Sequence, residues 1–234
     1  MDKMEYRVEK KYICTNMELA ILKARLQAVM SIDKNQKEID AYQIRSIYFD
    51  NYDNSSYFEN DAGVDDRKKL RIRVYNKSRK TIKLEVKEKY RNLTKKKSCC
   101  INEEEFQKIL LGKCQEFLYS DREVMRMFAV AILNYGYHPV NIIEYDRTAF
   151  TYPIGNVRIT FDKNIAASEE TNKLFDDNLQ KIPLLPVDNH ILEIKHDELI
   201  PDFILQLLEL GNLQQISFSK YYMGRSILNK GEIV

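Results

Sequence analysis

Glycine and proline are scarce in this chain, with 7 and 5 in 234 residues. It therefore has little linker character, and one domain over residues 1–234 is the expected organisation. No internal repeat or low-complexity segment breaks it up. No apolar run approaches 18 residues, which argues against a membrane-spanning helix. The start, Met1 to Lys11, is charged and lacks the apolar stretch of a signal peptide. The four cysteines, Cys14, Cys99, Cys100 and Cys114, show no CxxC spacing, and only three histidines accompany them. That spacing argues against a structural zinc site, and reduced thiols in the cytoplasm are expected. His138, His190 and His196 likewise show no ligand spacing. No GxxxxGK[ST] loop and no kinase-type Gly-rich loop occurs, so the common nucleotide-binding folds have no support.

Net charge is also nearly missing. Of the residues 31% are charged, yet the formal sum is only +2. A general nucleic-acid coat would be strongly basic. Any polyanion site must instead come from local segregation of charge.

That segregation is visible as alternation. Leu70-Arg71-Ile72-Arg73-Val74, Ile82-Lys83-Leu84-Glu85-Val86-Lys87, Val157-Arg158-Ile159-Thr160-Phe161-Asp162 and Ile191-Leu192-Glu193-Ile194-Lys195 each alternate apolar with polar or charged residues. In a strand this gives one apolar and one charged face. An ordinary half-solvated sheet alternates too. Repeated arginines on one face, however, repel each other without an anionic partner. Arginine's planar fork suits phosphate oxygens, and the interleaved Glu85, Asp162 and Glu193 suit a divalent cation.

Further strands are expected over 5–13, 42–49, 98–101 and 141–151. Thr15-Asn16 with Glu18 predicts a capped helix carrying Leu19, Leu22 and Leu26. Asn102 followed by three glutamates opens another. Helices are also expected over 120–135, 201–210 and 217–228. Residues 50–66 read as loop, and 164–187 as loop or lid. The sum is an α+β fold on an antiparallel sheet.

Arg7-Val8-Glu9-Lys10-Lys11-Tyr12 is similar to the ExExK strand of the CYTH, or triphosphate tunnel, superfamily. Ser46-Ile47-Tyr48-Phe49-Asp50, Lys69 to Tyr75 and Glu85-Val86-Lys87 resemble its further signatures. Tyr145 to Phe150, Val157 to Thr160, Leu192 to Lys195 and Phe218 to Tyr221 resemble its VTC-domain branch, the polyphosphate polymerases. The likeness runs from Glu5 to about Leu228.

The resemblance implies an antiparallel β-barrel, a tunnel with helices outside, that transfers the γ-phosphate of ATP to a growing inorganic polyphosphate. It implies Lys11, Arg71, Arg73, Lys87, Arg147, Arg158 and Lys220 as catalytic, phosphate-holding residues. Lys97 joins them as a phosphate ligand of ambiguous register within Lys95-Lys96-Lys97. Glu193 would hold a divalent metal, manganese first and magnesium as the alternative. Glu193 as a mere partner of Lys195 or of a neighbouring arginine, and Lys220 as an exposed helix lysine, remain open. Arg7 replaces the first Glu of ExExK, which favours a polymerase over a hydrolase of triphosphate or tripolyphosphate. A non-catalytic polyphosphate-binding module is the third reading. ATP and polyphosphate are the implied partners, and any membrane coupling would need a separate protein.

Overall fold

The computed structural model describes residues 7–33, 36, 41–90, 93–197, 199–211 and 213–229. Glu5 and Tyr6, where the first strand was expected to begin, lie outside these. In chain order the elements are β1 (Val8–Cys14), α1 (Asn16–Gln27), β2 (Ser31–Ile32), β3 (Tyr42–Asp50), α2 (Ser55–Asp61), β4 (Arg67–Tyr75), β5 (Ile82–Tyr90) and β6 (Leu93–Ile101). There follow α3 (Glu103–Leu110), α4 (Glu123–Tyr135), β7 (His138–Tyr152), β8 (Val157–Ser168), β9 (Ile182–Pro183), β10 (His190–His196), α5 (Asp202–Leu208), β11 (Gln214–Gln215) and α6 (Lys220–Asn229).

The strands follow one hydrogen-bonded path, β11-β1-β10-β8-β7-β3-β4-β5-β6. This is a large antiparallel sheet in an α+β fold. It corrects the expectation of a barrel closed by strand pairing: among the described residues the path is open. Its end strand β11 is two residues long and pairs with Tyr12 and Ile13 of β1. Closure requires matched register at both edges, which so short a strand does not offer.

The chain packs as two compact units. The first comprises Met1–Gln43, Tyr145–Ile165 and Leu185–Ser219. Its core joins Leu19, Leu22 and Leu26 of α1 to Phe150, Ile159, Phe161, Leu192 and Ile194 of the strands and to Ile204 and Leu208 of α5. The capping box expected at α1 is present: the Thr15 hydroxyl accepts from the Glu18 amide at 3.3 Å, and the Glu18 carboxylate accepts from the Thr15 amide at 2.7 Å. It satisfies two of the donors that a helix start leaves unpaired.

The second unit comprises Ile44–Glu144, Ala166–Leu184 and Lys220–Val234. Ile47, Phe49, Leu70, Ile72, Leu84 and Val86 form one apolar sheet face, covered by Phe106 and Ile109 of α3 and by Met125 and Phe128 of α4. Each such side chain contributes about 1.5–3 kcal/mol on burial. Asn102 caps α3 as expected, and Glu105 reaches back to complete a capping box.

Two segments differ from the sequence reading. Residues 50–66 contain α2, because the Asp50 carboxylate accepts from the amides of Ser56 at 2.9 Å and Tyr57 at 3.1 Å and so caps the helix from the preceding strand. The stretch 164–187 extends β8 to Ser168 and adds β9. Beyond β8 it is fastened: buried Arg45 donates to the carbonyls of Leu174 (3.0 Å) and Asp176 and pairs with Glu144. Gly224 lets α6 approach the sheet. A Cβ there would meet Ile143 Cδ1 at 2.5 Å and Asn141 Nδ2 at 2.8 Å.

Candidate functional site

In both units the sheet face opposite the apolar core carries charge, and each such face centres on a buried carboxylate. The charged strands of the second unit are in register as rows: Arg67 opposite Lys89, Lys69 opposite Lys87 opposite Lys96, Arg71 opposite Glu85 opposite Ser98, and Arg73 opposite Lys83. Glu85 is 1% exposed and lies at the centre. Arg71 reaches it from Nη2 at 2.6 Å, Arg73 from Nη1 at 3.7 Å and Lys96 from Nζ at 3.2 Å. Arg73 Nε donates to Ser46 Oγ at 3.1 Å, and Arg71 Nη1 donates to Tyr48 Oη at 3.1 Å. One carboxylate thus keeps two arginines and a lysine oriented on one face.

Burial raises the Glu85 pKa, but Arg71, Arg73 and Lys96 outweigh it and hold the group well below the ordinary carboxylate value. Glu85 is therefore an internal counter-ion, where the alternation had suggested a metal ligand. Lys97 does not join this face. It sits opposite Val86 on the apolar side and pairs with Glu123 of α4, whereas Lys96 faces the arginines. Three consecutive lysines carry no apolar residue to fix their parity, so strand register alone decides between them.

Tyr48 was not anticipated as part of the site. Its ring lies 5.3 Å from that of Tyr221 in α6, the helix that begins with Lys220. Tyr221 in turn donates from its hydroxyl to the Asp50 carboxylate. Burial pushes the Tyr48 phenol up, but Arg71, Arg73, the Arg71 hydrogen bond and Lys220 pull it further down, to a net value below its ordinary 10. Absorbance titration at 295 nm, wild type minus Tyr48→Phe, is expected to show a tyrosine ionising below pH 10. Saturating tripolyphosphate should shift that ionisation upward, because the anion competes for the same cations. A featureless difference curve would remove Tyr48 from the site.

In the first unit β1, β10 and β8 are in register, with Glu9 opposite Lys195 opposite Arg158 and Lys11 opposite Glu193 opposite Thr160. Glu193 is buried, and its carboxylate has Lys195 at 3.5 Å, Arg147 at 3.7 Å and Lys11 at 3.9 Å. Arg147 is also held by two bonds to Asp162, at 2.6 and 2.7 Å. Asp162 is thus another internal counter-ion. Lys11 donates to the Phe218 carbonyl at 2.6 Å, which fixes its ammonium. Arg158 bonds Asp33 at 2.8 Å and Tyr42 at 3.3 Å. Arg7 pairs with Asp197 at 3.0 Å.

The structure therefore groups Lys11, Arg147 and Glu193 in one unit, with Arg158 on the neighbouring row of the same face. It groups Arg71 and Arg73 in the other, with Lys87 on the next row. Lys220 opens α6 beside Tyr221, whose ring packs on Tyr48. Glu193 does pair with Lys195, but within a ring of three cations. Among the described residues no three His, Cys, Asp or Glu side chains come together as a metal-holding group. A separate cleft of about 490 Å³ in the second unit, lined by Arg79, Phe106 and Phe175 among others, includes none of the predicted site residues.

Solved structures of similar fold include a candidate adenylate cyclase from Vibrio parahaemolyticus. It is 12% identical, with a TM-score of 0.51, 94% of this chain covered and 98% of that one. Another candidate adenylate cyclase, from Bacillus halodurans, is 13% identical with a TM-score of 0.50, at 98% and 91% coverage. No curated protein matches significantly. No helix among the described residues is long and apolar enough to cross a membrane. The charged strands and the helix that carries Lys220 all fall within residues 6–229, which the VTC domain family model matches, and the chain belongs to that family.

Proposed function

We propose that this protein is an ATP-dependent polyphosphate polymerase, which transfers the γ-phosphate of ATP to the end of an inorganic polyphosphate chain. The observation that carries this reading is the pair of cation clusters, Arg71–Arg73–Lys96 and Lys11–Arg147–Lys195, each built on a buried carboxylate. Buried charge of this kind is weak evidence for stability, because desolvation offsets the attraction. It fits a surface organised for an anionic ligand.

In the proposed reaction a terminal phosphate oxygen of the chain bonds to the γ-phosphorus. The bond from that phosphorus to the β,γ-bridging oxygen breaks, and ADP leaves with the electron pair. The attacking oxygen is already ionised, so no general base is required. The protein's task is alignment and charge neutralisation. Within each unit the guanidinium groups are held by a carboxylate, Arg71 and Arg73 by Glu85 and Arg147 by Asp162, and so are oriented before substrate arrives.

A divalent cation fits this scheme with Glu193 as its protein ligand. Manganese or magnesium takes about six oxygens, commonly one or two from carboxylates and the rest from phosphate and water. A single buried carboxylate on a cationic face offers such a partial donor set. When bound, the ion would neutralise charge on the phosphate oxygens.

A hydrolase would use a carboxylate to position water. The pairing of Arg7 with Asp197, at the position of the first ExExK acid, disfavours that reading. Incubation with ATP and Mn²⁺ should yield ADP and a polyphosphate ladder on a stained gel. Free phosphate without polymer would assign the hydrolase class. Binding without turnover would leave a polyphosphate-binding module.

A further inference from the structure

We propose that the Lys195 ammonium is a built-in cation lodged between the Glu9 and Glu193 carboxylates, which confines divalent-ion binding at this face to an ion that arrives with phosphate. The inference rests on the reading of Glu193 as the metal ligand and goes beyond it. Lys195 Nζ lies 3.2 Å from Glu9 Oε1 and 3.5 Å from Glu193 Oε2. The four side chains of β1 and β10 alternate in sign, Glu9 opposite Lys195 and Lys11 opposite Glu193. The two carboxylates are therefore diagonal neighbours on one face, close enough for long side chains to converge.

Two convergent carboxylates are a minimal protein donor set for Mn²⁺ or Mg²⁺, whose shell is otherwise completed by water and phosphate oxygens. Here an ammonium already lies within ion-pair distance of both. Arg147 adds positive charge at the same Glu193 oxygen, and Lys11 at the other one. A divalent ion entering alone meets two carboxylates already bridged by the Lys195 ammonium, with Lys11 and Arg147 also close to Glu193. Phosphate removes that barrier, because its negative charge offsets the ring and its oxygens complete the ion's shell. Lys195 on this account is a specificity-determining residue: it makes ion binding depend on substrate.

The test is Mn²⁺ binding to the purified full chain, read from the electron paramagnetic resonance signal of free Mn²⁺, without nucleotide. Wild type should bind Mn²⁺ weakly alone and at least tenfold more tightly with tripolyphosphate. Lys195→Met should bind Mn²⁺ alone at least tenfold more tightly than wild type. Adding Glu9→Gln to Lys195→Met should abolish the gain. An unchanged Lys195→Met overturns the proposal, as does a gain that survives Glu9→Gln and so reflects charge removal only.

If Lys195→Met does not fold, Glu9→Gln alone decides. With tripolyphosphate its Mn²⁺ affinity should stay within twofold of wild type, while Glu193→Gln weakens it at least tenfold. Equal losses in the two variants overturn the proposal. Wild type that takes up no Mn²⁺ even with tripolyphosphate overturns the Glu193 reading as well.

Discussion

Replacing Arg71 and Arg73 together by alanine is expected to weaken polyphosphate binding more than about 100-fold and to cost about 3–5 kcal/mol of stability. The two effects have different causes. Each hydrogen bond to a charged group contributes about 1.5–3 kcal/mol, so two lost contacts exceed two decades of affinity. The slope of log affinity against log salt should fall by about 1.4 as two fewer cations release counter-ions. The stability cost arises at Glu85, which is 1% exposed and would retain Lys96 as its near cation. Removing one side of a buried ion pair leaves the other charge desolvated.

Adding Glu85→Gln separates the two. The triple variant should regain most of the lost stability in a urea melt and still fail to bind. The pH dependence gives an independent check. Glu85 has a folded pKa well below its usual value, against about 4.3 unfolded. Its contribution is present above about pH 4 and is lost as pH falls through the folded value. Wild type should show this acid-side loss, and the triple variant should lack that part of it. Polyphosphate affinity in the double variant equal to wild type would remove this face from the site.

The arginine face was legible because strand periodicity needs only local sequence. Ile72 and Val74 bracket Arg73, so the parity of Arg71 and Arg73 follows without knowledge of the partner strand. Lys195 and Glu193 are placed the same way. Lys96 against Lys97 was not legible, since the choice depends on pairing with Val86 and Lys87. The helix α2 was hidden for a related reason. Its cap, Asp50, sits in the strand before it, and its seven residues bury little beyond Ser56. Tyr48 read as one strand residue among others, because its surroundings come from β4 and from α6, far along the chain. Closure of the sheet is non-local in the same sense. Alternation fixes which face each strand shows, and long-range edge pairing fixes whether the sheet closes.

Glu193→Gln is expected to reduce ATP-dependent polymer formation by at least about 100-fold while polyphosphate affinity is retained or rises. The substitution keeps the shape of the side chain and removes its charge. Lys195, Arg147 and Lys11 then face one anion fewer, at 3.5, 3.7 and 3.9 Å from where it stood. A polyanion gains from that excess, so binding should not suffer. Turnover should, because neutralisation of the transferring phosphoryl group is the main catalytic demand of this chemistry and the carboxylate is the proposed anchor of the divalent ion. The free protein should be destabilised, though by less than a full broken ion pair, since Arg147 keeps its two bonds to Asp162. Tripolyphosphate should therefore raise the melting temperature of Glu193→Gln more than that of wild type, because it supplies the missing negative charge. Parallel loss of binding and turnover would make Glu193 a structural partner of its three cations instead.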